Sequence, residues 1–248
     1  APIDCWPIAV DRVRYVGEPV AIAIAPDRYL AEDALDLIEV DYEPLPAVVD
    51  PLDALKADGP VLHEALGTNL VSERSFRYGD PEQAFAEAAH TLSVSIRYPR
   101  NSCTPIETYG VVAEYDPGED AYDILANFMG PFSLHAVMAR ALEVPGNRFR
   151  LRTPPDSGGS FGVKQGVFPY VVLMGIAARL CGRPVKWIED RLEHLTASVS
   201  ATNRVSTLRA AVDSDGRVRA LSYDQIEDVG AHIRAPEPAT LYRMHGNL

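Results

Sequence analysis

The chain has 248 residues, of which 47% are hydrophobic and 23% are charged, so it is long enough for one large or two small domains with proper cores. Its formal net charge of −12 gives no electrostatic reason to bind nucleic acid or an anionic membrane surface. Three scattered cysteines without a C-x-x-C pair indicate reduced thiols in a cytoplasmic compartment, and neither a signal peptide nor an apolar run of bilayer-spanning length is visible.

The first 70 residues predict a small unit in which one helix connects two strands. Residues 18–25 (EPVAIAIA) form a short aliphatic run between a glycine and a proline, which is typical of a buried strand. A helix is expected over residues 28–37, with Asp27 as its N-cap. Residues 38–42 (IEVDY) alternate in polarity and predict a second strand. This order indicates an α/β or α+β unit.

Prolines and glycines spread over residues 43–79 indicate a connection between two domains, with one short helix near residues 51–56. The sequence at 79–83 (GDPEQ) is a strong helix start. Asp80 is the expected cap, and Gln83 is expected to close a capping box.

The second part of the chain predicts strands that alternate with helices and end in a hairpin. The expected strands are residues 92–98, 110–115, 122–128, 149–151, 184–188, 203–211 and 217–224, and the expected helices are residues 132–142, 167–180 and 190–195. The first of these strands alternates as a half-buried strand does, and an Asp-Ser-Asp-Gly turn joins the last two. The predicted fold class is therefore α+β (mixed α/β).

The strongest candidate for a ligand site is the glycine-rich segment 153–164 (TPPDSGGSFGVK), which lies between a predicted strand and an apolar helix. Its glycines allow backbone angles closed to other residues, and free N–H groups at the start of the helix suit an oxyanion or a phosphate. The segment is not a P-loop, because G-K-[ST] is missing, and it is not the G-x-G-x-x-G fingerprint. A plain turn between strand and helix is the alternative.

Other catalytic patterns are weak. Ser160 lies in a strand-to-helix turn, but it lacks the G-x-S-x-G elbow and has no His/Asp pair tied to it. The six histidines never fall in H-x-x-x-H or H-x-H, so a metal would have to be held by a cofactor. Glu107, between Ile106 and Tyr109, is either a partly buried carboxylate with a raised pKa or, as is commoner, a structural carboxylate that accepts backbone N–H bonds.

Together with its neighbours, the loop resembles the first pterin-binding segment of the molybdenum hydroxylases, the family of xanthine dehydrogenase, aldehyde oxidase and the large subunit of aerobic carbon monoxide dehydrogenase. The family pattern Gly-Gly-x-Phe-Gly-x-Lys matches residues 158–164. Further segments match in the expected order. They are residues 11–20 and 40–46, similar to the family's α/β hammerhead domain, residues 105–107 (PIE), similar to its P-x-E loop, and residues 182–187 with 189–191, similar to its G-R-P-V strand.

The resemblance implies that residues 1–70 are the C-terminal part of a hammerhead domain and that residues 71–248 are the N-terminal portion of the first molybdopterin cofactor-binding domain. The residues it implies for cofactor binding are Gly158, Gly159, Ser160, Phe161, Gly162 and Met129. Ser160 replaces a more usual glycine. Met129 stands where the family often has a glutamine whose amide contacts the apical oxygen of molybdenum, and a thioether cannot donate that hydrogen bond.

The implied function is the cofactor-binding portion of the large catalytic subunit of an oxidoreductase that hydroxylates an aldehyde, an N-heterocycle or a similar small substrate with oxygen from water. The implied cofactor is molybdenum–molybdopterin in its cytosine dinucleotide form. Iron–sulfur and FAD are expected only on partner subunits of a cytoplasmic, dimerised heterotrimeric complex, with no membrane span and no nucleic-acid partner.

Both ends of the chain look cut, and the family's general-base glutamate is expected beyond Leu248. No catalytic residue is therefore expected within these residues, which should not turn over substrate alone. The alternative is a non-catalytic remnant or interaction module that keeps the fold without the cofactor. Met129 and the missing later segments favour that alternative, whereas the intact glycine loop favours the enzyme.

Overall fold

The computed structural model describes residues 5–201 and 203–233. It has a mixed α/β fold, as predicted, and its strands form two separate sheets. Its helices are α1 Arg28–Leu35, α2 Pro51–Ala54, α3 Pro81–Glu87, α4 His135–Ala141, α5 Phe168–Cys181 and α6 Arg191–Ala197. Its strands are β1 His90–Tyr98, β2 Gly110–Asp116, β3 Ala121–Ala126, β4 Phe149–Arg152, β5 Val185–Ile188, β6 Asn203–Val212 and β7 Val218–Asp228. Short 3₁₀ helices cover Glu64–Leu66, Gly146–Arg148 and Val163–Val167.

The sheet with the strand order β4-β3-β2-β5 carries the core. β3 is parallel to β4, and β2 is antiparallel to both β3 and β5. α5 packs across this sheet, and Gly175 allows the close approach, because a Cβ there would lie 2.9 Å from Leu142 Cδ2 and 3.3 Å from Ile124 Cδ1. In contrast to the sequence prediction, the stretch Val163–Cys181 is long and apolar enough to cross a membrane, but 67% of its most apolar part is buried inside the fold, as in a core helix.

β1, β6 and β7 form the second sheet, which is antiparallel throughout. The predicted hairpin is confirmed, with Gly216 at φ +85° in the turn between β6 and β7. The predicted half-burial of β1 is wrong, since every residue of this strand is exposed. The reason is that α2 and α3 pack mainly against β6 and β7, so that the apolar side chains of β1 lie on an open face.

The longest element in residues 5–70 is the helix α1. Its cap is confirmed, because Asp27 Oδ1 accepts the N–H of Leu30 at 3.0 Å. The predicted strands at residues 18–25 and 38–42 are wrong, since both segments run without strand pairing in the described structure. A strand needs a neighbour for its N–H and C=O groups. These segments instead make isolated bonds, such as that from the Ala9 N–H to the Pro19 carbonyl at 2.8 Å.

Capping residues fix the starts of α3 and α6. Asp80 Oδ1 accepts the N–H of Gln83 at 3.2 Å, as predicted, but the Gln83 side chain donates to Glu87 and leaves the predicted capping box half formed. α6 has the complete box, in which Asp190 and Glu193 each accept the other's backbone N–H at 2.7 Å. The box sets α6 directly after β5, beside the candidate site.

Candidate functional site

All four strands of the core sheet bring a segment to the same edge. β3, β4 and β5 end there, and the antiparallel β2 begins there. The segments at this edge are residues 105–109 before β2, Met129 after β3, the glycine loop (residues 158–162) after β4, and Glu189 after β5. Topology therefore gathers sequence motifs that are up to 84 positions apart, counted from 105 to 189.

The glycine loop has an unusual backbone. Gly159 and Gly162 have φ angles of +99° and +93°, and Phe161 between them has φ +51° although it carries a side chain. A non-glycine residue in this left-handed region costs free energy and is found where the surrounding structure imposes it. The loop is therefore held in one specific shape by its neighbours.

The hydrogen bonds of the described residues leave three backbone N–H groups of the loop without an acceptor. The N–H groups of Gly162 and Lys164 both donate to Ser160 Oγ at 3.2 Å, and the Gly158 N–H donates to the Glu107 carboxylate at 3.2 Å. Across residues 5–201 and 203–233, no acceptor is found for the N–H groups of Gly159, Ser160 and Phe161. Consecutive free N–H groups in a turn are typical of anion-binding sites, which makes these three groups the candidate binding surface for an oxyanion or an oxo group.

Met129 lies directly against this loop. Its Sδ accepts a hydrogen bond from Ser160 Oγ at 3.4 Å, and its N–H donates to the Lys164 carbonyl at 3.3 Å. The two positions that depart from the family pattern, Met129 and Ser160, are thus in contact. Met129 is 37% exposed and Phe161 is 78% exposed, so two apolar side chains at the loop are open to solvent.

Glu107 ties the loop to the segment before β2. Its Oε2 accepts hydrogen bonds from Lys164 Nζ and from the Gly158 N–H. Partial burial alone would raise the pKa of Glu107, but hydrogen bonds from Lys164, Gly158 and Asn127 outweigh burial and hold the pKa below its ordinary value. Of the two interpretations that the sequence allows, the structural carboxylate is confirmed and the carboxylate with a raised pKa is wrong.

A second group of residues supports the segment before β2 from behind. Arg191 Nη2 donates to the carbonyls of Pro105 and Ile106 at 2.9 and 2.7 Å. Glu189 accepts the Tyr109 N–H at 3.0 Å and bonds the buried His194 at 2.7 Å.

Tyr109 then links this group to the loop region, because its hydroxyl donates to the Val163 carbonyl at 2.7 Å. In the sequence, Glu189 and Arg191 are identified only as part of a segment similar to the molybdenum hydroxylases, and Tyr109 and His194 have no predicted role. The sequence carries no local signal for these residues. Only the topology shows that the segments 105–107 (PIE) and 189–191 (EDR) lie close together.

Two glycines are required by close packing. A Cβ on Gly158 would lie 2.4 Å from Glu107 Cβ, and a Cβ on Gly166 would lie 2.3 Å from Val199 Cγ2. Gly159 and Gly162 are different, since the space beside them is open or nearly so and their positive φ angles are what favour glycine. In the part of the chain that the structure describes, no group of three or more His, Cys, Asp or Glu side chains could hold a metal ion.

Comparison with protein families gives two matches. Residues 62–248 match the family described as the molybdopterin cofactor-binding domain, and residues 3–46 match the a/b hammerhead domain of aldehyde oxidase and xanthine dehydrogenase. The predicted boundary near residue 70 stays a prediction.

Individual proteins are similar over nearly the whole chain. The gamma subunit of the 6-hydroxypseudooxynicotine dehydrogenase complex of Paenarthrobacter nicotinovorans is 40% identical over 93% of this chain and 29% of its own length. The carbon monoxide dehydrogenase large chain of Hydrogenophaga pseudoflava is 34% identical over 93% of this chain and 30% of its own length. The crystal structure of quinoline 2-oxidoreductase from Pseudomonas putida 86 superposes with a TM-score of 0.82, at 34% identity, over 88% of this chain and 28% of that chain. This chain therefore spans less than a third of the length of these relatives.

Proposed function

Because the chain belongs to the molybdopterin cofactor-binding family, we propose that its glycine loop binds the molybdenum–pterin cofactor in the large catalytic subunit of an oxidoreductase. One observation carries the proposal: the N–H groups of Gly159, Ser160 and Phe161 are consecutive and have no acceptor among the described residues, in a loop with three positive φ angles. The proposed cofactor-binding residues are Gly158, Gly159, Ser160, Phe161, Gly162 and Met129.

The chemistry of the loop fits such a cofactor. The protein carries a net charge of −12, so an anionic ligand gains nothing from the overall field and must be held by local dipoles. Backbone N–H groups that are already oriented stabilise an oxo or anionic group without reorganisation when it binds. When bound, the molybdenum centre supplies the two-electron redox chemistry that a substrate hydroxylation needs.

We propose an N-heteroaromatic compound as the substrate class. The exposed apolar side chains of Phe161 and of Met129, which contacts Ser160, suit a flat, apolar ring better than a small polar aldehyde. Relatives whose names refer to 6-hydroxypseudooxynicotine, nicotine and quinoline support this choice. Turnover of quinoline by the complete enzyme, at a kcat/KM well above that for benzaldehyde or carbon monoxide, is the expected result. Turnover of carbon monoxide or of aldehydes alone would contradict this choice.

We further propose that the subunit works in a cytoplasmic complex with an iron–sulfur subunit and an FAD subunit, which itself dimerises, and that the cofactor is the cytosine dinucleotide form. The support is that relatives are named as a gamma subunit of a complex, a large chain and a large subunit. Cys103 and Cys181 form no disulfide in the described structure, which suits a reducing compartment.

The test is analysis of the complete complex purified from a host able to make the cofactor. We expect about one molybdenum per large subunit and release of cytidine monophosphate on acid hydrolysis, in line with one cofactor per chain. A complex without molybdenum would instead identify the chain as a non-catalytic remnant, and release of another nucleotide would contradict the cytosine form.

A further inference from the structure

Lys164 is a buried cation two residues after the glycine loop. Only 1% of its surface is exposed, and its Nζ bonds the carboxylate of Glu107. A buried ammonium group is costly unless a partner compensates for the lost hydration. The Glu107 side chain, in contrast, stays 36% exposed, so the carboxylate lies between solvent and the buried cation.

One oxygen of Glu107 holds both ends of the loop. Oε2 accepts the Gly158 N–H at 3.2 Å and also the Lys164 Nζ, and the Glu107 N–H donates back to the Gly158 carbonyl at 3.4 Å. Gly158 and Lys164 stand on either side of residues 159–162. Because one carboxylate bonds both residues, it fixes the distance between Gly158 and Lys164. The free N–H groups belong to residues between these two positions.

We propose that Glu107 and Lys164 form a latch that closes the glycine loop, and that both are positioning residues for the cofactor. This inference rests on the proposed function. A loop with three glycines loses much conformational entropy when it is ordered. A latch that orders the loop before the ligand arrives removes that cost from binding.

The latch is itself anchored, which is why it can set a position. Arg191 holds the two carbonyls just before Glu107, and Asn127 Nδ2 donates to the Thr108 carbonyl just after it at 2.7 Å. The Thr108 hydroxyl donates to the Glu189 carbonyl at 2.7 Å. The Glu107 backbone is therefore held in place relative to the core sheet, and its carboxylate holds the loop in place relative to the same sheet.

The rival interpretation is that Glu107 only neutralises a buried lysine. The two differ in the double variant Glu107→Gln/Lys164→Met, which removes both charges. Replacing both members of a buried pair is often tolerated, whereas removing one member leaves an uncompensated charge. A purely neutralising pair predicts recovery of both stability and cofactor content in the double variant. A latch predicts recovery of stability alone.

The experiment compares the complete wild-type complex with Glu107→Gln, Lys164→Met and the double variant. Molybdenum per chain is measured in each, together with the thermal midpoint of the cofactor-free form from a host that cannot make the cofactor. Glu227→Gln is the control, because it breaks the Arg204–Glu227 pair of 2.7 Å between β6 and β7, in the sheet that does not carry the loop. Hydrogen exchange of residues 158–164 in the cofactor-free form is the second readout.

We expect molybdenum content to fall roughly tenfold in both single variants and in the double variant, as when a supporting residue of a metal site is lost. The thermal midpoint of the double variant should return close to wild type while its loop amides exchange about tenfold faster. The control should keep wild-type content. A double variant with wild-type molybdenum content, or with unchanged loop exchange, would overturn the latch. A wild-type complex without molybdenum would instead overturn the proposed function, and the latch with it.

Discussion

The two sheets of this protein carry similar alternating patterns but differ in burial. In the core sheet, Val111, Ala113 and Ile124 are fully buried beneath α5. In the second sheet, every residue of β1 is exposed, although Leu92, Val94 and Ile96 alternate just as regularly. Alternation therefore identifies which face of a strand is apolar but not whether another element packs onto that face.

The difference matters for the site, because each segment of the site is attached to the core sheet. The loop follows β4, Met129 follows β3, Glu107 precedes β2 and Glu189 follows β5. A rigid, buried sheet fixes the relative positions of these segments to a degree that an exposed sheet would not. Perturbations of the two sheets should accordingly have unequal effects on stability and on the loop.

The largest difference is expected between matched truncations in the two sheets. Ile124→Ala removes a fully buried side chain from β3 and should lower the free energy of unfolding by about 3 kcal/mol. Leu221→Ala truncates a side chain of β7 that is 62% exposed and should cost less than about 0.5 kcal/mol. Urea denaturation of the purified protein measures both. Equal losses would show that the second sheet is as well packed as the first.

A smaller difference in the free energy of unfolding is expected when one tyrosine hydroxyl is removed beside the core sheet and one from the second sheet. Tyr109→Phe deletes the donor to the Val163 carbonyl and leaves that buried acceptor unsatisfied, which should cost about 1 to 2 kcal/mol. Tyr223→Phe deletes an exposed hydroxyl that contacts Gln225 and should be nearly neutral. Denaturation midpoints of the two variants test this pair, and a neutral Tyr109→Phe would remove Tyr109 from the support of the loop.

The smallest effect is a dependence on pH. The pKa of Glu107 in the folded protein lies below its ordinary value of 4.5, so its contribution to stability is complete above that pH and is lost as the pH falls through the folded pKa. A Glu107→Gln variant should therefore lose less stability than wild type in acid. The thermal midpoint followed from about pH 7 down to about pH 3 measures this.

Glu64→Gln provides the comparison in the N-terminal region. The hydrogen bond from Arg12 lowers the pKa of Glu64 as well, but this pair is exposed and screened by solvent. Its pH profile should follow wild type closely. A larger change at Glu64 than at Glu107 would contradict the inference that the partly buried Glu107 pair contributes more to stability than the exposed Arg12–Glu64 pair.

The sequence predicts an element well where its signal is local. The caps at Asp27 and Asp80 and the hairpin turn at 213–216 depend only on neighbouring residues, and all are found. The strands expected at residues 18–25 and 38–42 fail because a strand depends on a partner that local sequence does not specify.

For the site as well, only the local features can be predicted from the sequence. The glycine loop is recognisable from Gly158, Gly159 and Gly162, since glycine clusters indicate special backbone angles. Two contacts cannot be predicted from the sequence, because they join residues far apart in the chain. They are the pair Glu107–Lys164, 57 positions apart, and the contact Met129–Ser160, 31 positions apart. Only the common edge of the core sheet brings them together.

The central claim, that the free N–H groups of the glycine loop hold the cofactor, is tested most directly with two matched glycine variants. Gly159 and Gly216 both have positive φ angles, and a Cβ added at either would meet no atom closer than 3.5 Å, but only Gly159 lies in the loop. Gly159→Val and Gly216→Val should therefore lower the thermal midpoint alike. In the complete complex, we expect Gly159→Val to lose nearly all molybdenum and Gly216→Val to keep the wild-type amount. Wild-type molybdenum content in Gly159→Val would contradict the claim.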